Sequence, residues 1–220
     1  MDLIKKSTLR ENVTNSIRRA IVNNKIEPGA RIIETKIAKK LGVSQSPVRE
    51  ALRELELMGL VENKPYQGCF VKTLTRKDIK DAYKLRAYLE MLAVREAAEN
   101  ITENDLKNMD SLIKQMKLFA QSGFKEEFIE MDIDFHKLII HVANNHLLEK
   151  TWNMVNLGQW TFITAKISGK NLTELASRHE SIFESLKEGN GEKASQYMKN
   201  HIEELSEELS EEILTKFEDD

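Results

Sequence analysis

Residues 131–145, MDIDFHKLIIHVANN, set an aspartate and a histidine one helical turn apart. At about 100° per residue, Asp132 and His136 fall in the middle of an apolar arc that includes Phe128, Ile129, Ile139 and Ile140. Glu130, Asp134, Lys137 and His141 take the opposite, polar face. The same wheel puts His179 among Leu175, Ala176, Ile182, Phe183 and Leu186, and His201 among Ala194, Tyr197, Met198 and Leu205. Three of the five histidines and one carboxylate therefore point inward, from three separate helices. Three imidazoles and a carboxylate make a first shell for a divalent transition metal, zinc foremost, with nickel or manganese as the other choices. The plainer alternative is a set of separate core histidines, with Asp132 bonded to one of them, since a buried carboxylate needs a partner. His141, on the polar face, and His146, at a helix start, read as surface residues.

The elements that must carry these groups are helical. Nine glycines and three prolines in 220 residues leave few interruptions. Past residue 75 the apolar spacing predicts six helices, at about 76–98, 103–121, 124–143, 146–166, 173–188 and 191–217. Thr75-Arg-Lys-Asp78 and Thr102-Glu-Asn-Asp105 have the form of helix starts. No glycine-rich phosphate loop, cysteine pair or repeat occurs, so chemistry here must come from side chains inside the bundle. Cys69 is the single cysteine, which excludes an internal disulfide and suits a reducing cytoplasm. No apolar run approaches the ~18 residues of a membrane span, and the first residues lack the apolar stretch of a signal peptide.

The first 75 residues differ in charge and in pattern. They hold 14 Lys+Arg and 8 Asp+Glu, a net of +6, against 19 and 28, a net of −9, in the remainder. A basic module joined to an acidic one implies a polyanionic partner for the first alone. Thr8-Leu-Arg-Glu11 is a capping box, followed by Val13, Ile17, Ala20 and Ile21 at helical spacing to about Asn24. A turn over EPGAR precedes a short helix marked by Ile33, Ile37 and Leu41 and stopped by Gly42. Ser44 or Ser46 is expected to cap a third helix, with Pro47 in its first turn and Val48, Ala51, Leu52 and Leu55 as its buried stripe. The runs LVEN and CFVKT then predict a β-hairpin with Gly68 in its turn.

Helix, helix, short turn, helix and hairpin is the order of a winged helix-turn-helix. Such a unit sets the N-terminal residues of its second motif helix against base edges in the major groove. Those residues here are Ser44, Gln45, Ser46 and Arg49. Arg49 suits guanine and Gln45 suits adenine, each bidentate, while Lys36, Lys39 and Lys40 suit phosphates.

KIAKKLGVSQSPVREALRELELMGLVE followed by GCFV resembles the DNA-binding domain of GntR-type bacterial transcription regulators over residues 8–73. Gln45 departs from the arginine usual there. The resemblance implies that Arg49, the start of its helix and the wing near Gln67 and Gly68 face DNA. The segments DIDFHKLIIHVANN and RHESIFESLKEGNGEKASQYMKNHI are similar to the FCD ligand-binding domain of the FadR subfamily. The count of six helices suits its VanR-like branch. This second resemblance implies that Asp132, His136, His179 and His201 bind a metal beside a cavity for a small carboxylate effector. LRAYLEMLAVREAA is similar to a further segment of that domain, so Arg86 is implied as the carboxylate anchor. The residues themselves offer another role for Arg86, an i,i+4 ion pair with Glu90.

The expected molecule is mainly α, with a winged helix-turn-helix over 1–74 and an all-α domain for metal, effector and dimerisation over 75–220. The expected function is that of a ligand-responsive homodimeric regulator of transcription on double-stranded operator DNA, not an enzyme. The rival is a metal-dependent hydrolase or lyase, in which a His/Asp metal with open positions activates water. Against the rival, no carboxylate at recognisable spacing stands ready as a general base, and the N-terminal module would have no role.

Overall fold

A computed structural model of the chain describes residues 8–22, 25–73, 75–154 and 171–217. Contacts divide the chain into two compact units, residues 1–74 and 75–220.

In the first unit, α1 (Leu9–Val22) opens on the expected reciprocal cap. The Thr8 N–H donates to Glu11 Oε2 at 2.7 Å, and the Glu11 N–H donates to Thr8 Oγ1 at 3.2 Å. Val13, Ile17 and Ile21 are buried; residues 23–24, to which the expected helix extends, lie outside the described residues. Strand β1 (Arg31–Ile32) follows, then α2 (Glu34–Leu41) and α3 (Gln45–Leu57), then β2 (Val61–Lys64) and β3 (Gly68–Val71). The strands form an antiparallel sheet in the order β1-β3-β2, with Ile32 opposite Cys69, Val61 opposite Val71 and Lys64 opposite Gly68. Val48, Ala51, Leu52 and Leu55 form the buried stripe of α3, as their spacing predicts.

Four local details depart from expectation. β1 carries no periodic signal, being two residues long; it is fastened by the Gly29 N–H to Val71 O and the Val71 N–H to Ala30 O, both at 2.9 Å. Pairing turns Ile32 inward, so Ile33, expected on the apolar face of a helix, stands before α2 with 38% exposure, and Ala38 is the residue buried there. Ser44 occupies the N-cap position of α3 with extended backbone, but its side chain makes no capping hydrogen bond. Gly68 opens β3 instead of sitting in the turn. Its φ of 104° favours glycine, and a Cβ there would lie 3.3 Å from Arg31 Nε. The turn is made by residues 65–67 and closed by the Gln67 N–H to Lys64 O at 3.0 Å.

The second unit is helical: α4 (Arg76–Asn100), α5 (Glu103–Ser122), α6 (Lys125–Val142), α7 (His146–Met154), α8 (Leu172–Lys187) and α9 (Gly191–Phe217). The expected helix at 146–166 is described only to Met154; its remainder lies outside the described residues. Capping boxes at Thr75–Asp78 and Thr102–Asp105 begin α4 and α5. Asn171 begins α8, its side-chain oxygen accepting from the Thr173 N–H. α4 packs along α9, and α5 packs against α6 and α8. Phe128, Ile129, Phe135, Ile139 and Ile140 of α6 are buried, as are Met109, Ile113 and Met116 of α5. Tyr197, expected beside His201, is turned outward. Among the described residues no helix is long and apolar enough to cross a membrane.

Candidate metal centre and DNA-reading surface

α6 brings Asp132 and His136 inward, α8 brings His179 and α9 brings His201. One ligand atom from each of the four lies within 4.8 Å of all the others, and all four residues are buried. The His136 and His201 rings stack with centroids 5.3 Å apart, and His201 meets His179 edge-on at 4.6 Å.

The outer atoms of two rings are engaged. His179 Nδ1 lies 3.1 Å from Leu175 O. A carbonyl only accepts, so Nδ1 carries the proton and Nε2 presents a lone pair to the centre. His136 Nδ1 lies 2.5 Å from Glu90 Oε2, an ionic contact without a hydrogen bond. The carboxylate nonetheless favours a proton on Nδ1 and leaves Nε2 facing inward. Among the described residues the remaining atoms have no such partners: Asp132 Oδ2, His136 Nε2, His179 Nε2 and both nitrogens of His201 are buried without a hydrogen bond. His179 Nε2 stands 3.0 Å from Asp132 Oδ1, so a lone pair faces an anionic oxygen. Buried polar atoms without partners cost free energy, and a cation among them would engage one ligand atom from each of the four residues. The nitrogen and oxygen donor set fits a divalent transition metal.

Electrostatics keeps the donors in metal-binding form. Burial opposes ionisation of Asp132, yet its surroundings, the Arg86 charge among them, hold its carboxyl down at about 2. Burial lowers the pKa of His136, with the Arg86 charge acting in the same direction. It lowers that of His201 much further, helped by His179, His136 and Arg86. Neutral imidazole and ionised carboxylate are the states that ligate metal.

Arg86 lies beside this centre and is paired. Its Nε donates to Glu90 Oε1 at 2.7 Å, and both side chains are 1% exposed. The i,i+4 reading of this arginine is thus realised in the structure. Glu90 is the residue that sequence reasoning undervalued. Its Oε1 also accepts from Trp152 Nε1 at 3.0 Å, while its Oε2 faces His136. Burial would raise its pKa, but Arg86 and His136 hold it well below the usual carboxylate range. The signal for Glu90 was its i,i+4 spacing from Arg86; nothing local pointed to Trp152, which arrives from α7. His141 is exposed beside Glu149, as expected of a surface residue.

In the first unit Ser44, Gln45, Ser46 and Arg49 are all exposed along the N-terminal half of α3. Lys36, Lys39 and Lys40 are exposed on α2. Gln67 is exposed at the β2–β3 turn, and Gly68 next to it is half-buried. Arg49 is held from both sides: its Nε donates to Glu34 Oε2 at 2.7 Å, and its Nη2 lies 3.5 Å from Gln45 Oε1. Sequence reasoning gave Glu34 no role.

Residues 9–71 match the family model described as bacterial regulatory proteins, gntR family, and residues 81–204 match the FCD domain. The chain is 32% identical over 206 residues to the probable D-xylose utilization operon transcriptional repressor of Paenarthrobacter nicotinovorans, covering 92% of this chain and 91% of that protein. It is 32% identical over 189 residues to the HTH-type transcriptional regulator YdhC of Bacillus subtilis (strain 168), covering 85% and 84%. The solved structure of E. coli McbR/YncC shares the fold, with a TM-score of 0.80 at 23% identity over 94% of this chain and all of that one. The families and relatives matched are transcription regulators, not hydrolases or lyases. The chain therefore belongs to the gntR family of bacterial regulatory proteins and is a transcription regulator, with a DNA-binding helix-turn-helix module followed by an FCD domain.

Proposed function

We propose that this regulator answers to a small carboxylate through a divalent metal held by Asp132, His136, His179 and His201. The observation that carries the reading is the convergence of four buried metal-ligating groups whose inward atoms have no hydrogen-bond partner among the described residues. Zinc is the first choice on donor type, with nickel or manganese as alternatives. A bound divalent ion would supply a concentrated positive charge and a Lewis-acid anchor for an anionic ligand. Charge supports the carboxylate. Arg86, Glu90 and Asp132 sum to −1 with neutral histidines, so a divalent ion leaves +1, which one carboxylate group neutralises. Arg86 contributes charge to that cluster, and Glu90 holds it in place.

The remaining parts of the reading follow from the DNA-binding module. Lys36 meets phosphate; Ser44, Gln45, Ser46 and Arg49 read base edges; Gln67 and Gly68 present the wing. Two copies of the chain, as a homodimer in the cytoplasm, read the halves of a near-palindromic operator. The exposed apolar row Leu85, Tyr88 and Leu92 on α4 supports a protein contact on the FCD side. The FadR-subfamily and VanR-like assignments belong to this reading too. For control, the effector must bind two arrangements of the molecule unequally.

The test uses the full chain and an operator selected by the protein from random-sequence DNA. Protein stripped of metal, then reloaded separately with zinc, nickel or manganese, is titrated with small mono- and dicarboxylates while operator binding is followed by fluorescence anisotropy. A change in operator affinity that requires both metal and carboxylate supports the proposal. Operator binding indifferent to both overturns it in favour of a constitutive DNA-binding protein.

A further inference from the structure

The contact between Arg49 and Glu34 bears on how this chain selects a sequence. Arg49 projects from α3 with its side chain 60% exposed, and Glu34 lies in the first turn of α2 at 34%. A carboxylate at a helix N-terminus is favourable on its own account, so Glu34 is anchored independently of Arg49. It nevertheless accepts from Arg49 Nε at 2.7 Å, while Gln45 Oε1 stands 3.5 Å from Arg49 Nη2. An acidic group on this surface is costly for DNA affinity as such. Lys36, Lys39 and Lys40 on the same helix are exposed and suited to phosphates, and a neighbouring carboxylate opposes them.

What Glu34 offers in exchange is geometry. An arginine side chain loses rotamer freedom when fixed, and a fork aimed before contact loses less on binding. With Nε given to Glu34, the edge made by the two terminal nitrogens remains for the bidentate pairing that guanine O6 and N7 accept. Gln45 adds a carbonyl oxygen on the other side of the guanidinium, where an arginine would add repulsion.

We propose that Glu34 is a specificity-determining residue of DNA recognition: a positioning residue that aims Arg49, favouring the correct sequence while weakening binding to DNA in general. This rests on Arg49 reading a base, and the variants separate the two ideas. Full-length wild type, Glu34→Gln, Glu34→Asp, Arg49→Ala and the Glu34→Gln/Arg49→Ala double variant are compared on the operator selected from random DNA and on a scrambled duplex of the same composition. Glu34→Gln is expected to bind the scrambled duplex as well as wild type or better, yet to lose about threefold in the operator-to-scrambled ratio, the scale of an exposed ion pair. Glu34→Asp should recover part of that ratio. Repeating the selection with Glu34→Gln should relax the same base position that Arg49→Ala relaxes, and Glu34→Gln should add nothing in the Arg49→Ala background. An unchanged ratio in Glu34→Gln, where Arg49→Ala does lose selectivity, overturns the role of Glu34 alone. The same holds for an equal loss in both backgrounds. Undiminished selectivity in Arg49→Ala overturns the base-reading role, and the proposal with it. Matched melting temperatures across the set exclude misfolding as the cause.

Discussion

Replacing Arg86 by methionine tests what this buried arginine does in the folded protein. If it served only to receive an effector, its loss would leave stability nearly untouched. The structure predicts otherwise. Arg86 and Glu90 are each 1% exposed and joined at 2.7 Å, so Arg86→Met strips a buried carboxylate of its main compensating charge. Removing one partner of a buried pair costs roughly 3–5 kcal/mol. Trp152 and His136 still touch Glu90, which places the expectation at about 3 kcal/mol, toward the lower end of that range. For the FCD unit of 146 residues (75–220), that corresponds to a fall of about 10 °C in Tm. Urea denaturation and thermal melting of metal-stripped, full-length protein provide the measurement, with no effector present. A second variant, Arg86→Met with Glu90→Gln, removes the stranded charge and should regain part of the loss. A Tm for Arg86→Met within about 2 °C of wild type would refute the reasoning and return Arg86 to a purely ligand-facing role.

Three further outcomes are expected. Chelation should lower the melting temperature of the full-length protein and metal should restore it, by linkage. His179→Ala should remove most of that difference and His141→Ala, at an exposed site, none; equal metal responses in His179→Ala and wild type would leave the histidines as core residues. Without metal, stability should rise with pH: burial holds His136 and His201 below 6.5 in the folded state, so between their folded values and about 6.5 the unfolded chain binds more protons. That contribution is present above about pH 6.5 and lost as pH falls, which denaturation midpoints at pH 5.5 and 7.5 would reveal; a midpoint that rises on acidification contradicts it. Finally, Arg49→Ala should weaken operator binding by about 1–3 kcal/mol and relax preference at one base; unchanged affinity and selectivity in an anisotropy titration would exclude a base contact.

Much of this molecule is decided by sequence-local physics. The capping boxes at Thr8, Thr75 and Thr102 need only residues three apart, and each forms as its spacing dictates. The inward direction of Asp132, His136, His179 and His201 follows from 3.6-residue periodicity, because each of their three helices has one apolar arc and they lie on those arcs. Periodicity does not bring three helices to one point. That convergence, with ligand atoms within 4.8 Å of one another, depends on how α6, α8 and α9 pack. Tertiary packing also decided the partners that local pattern is blind to. Trp152 reaches Glu90 across 62 positions, and Glu34 reaches Arg49 across 15. β1 exists only because β3 offers it an edge, and that pairing sends Ile33 outward. Spacing along one element is set by the backbone's own geometry and is legible in the sequence. Contacts between elements are set by shape and charge across the folded interior, where residues distant in the chain first meet.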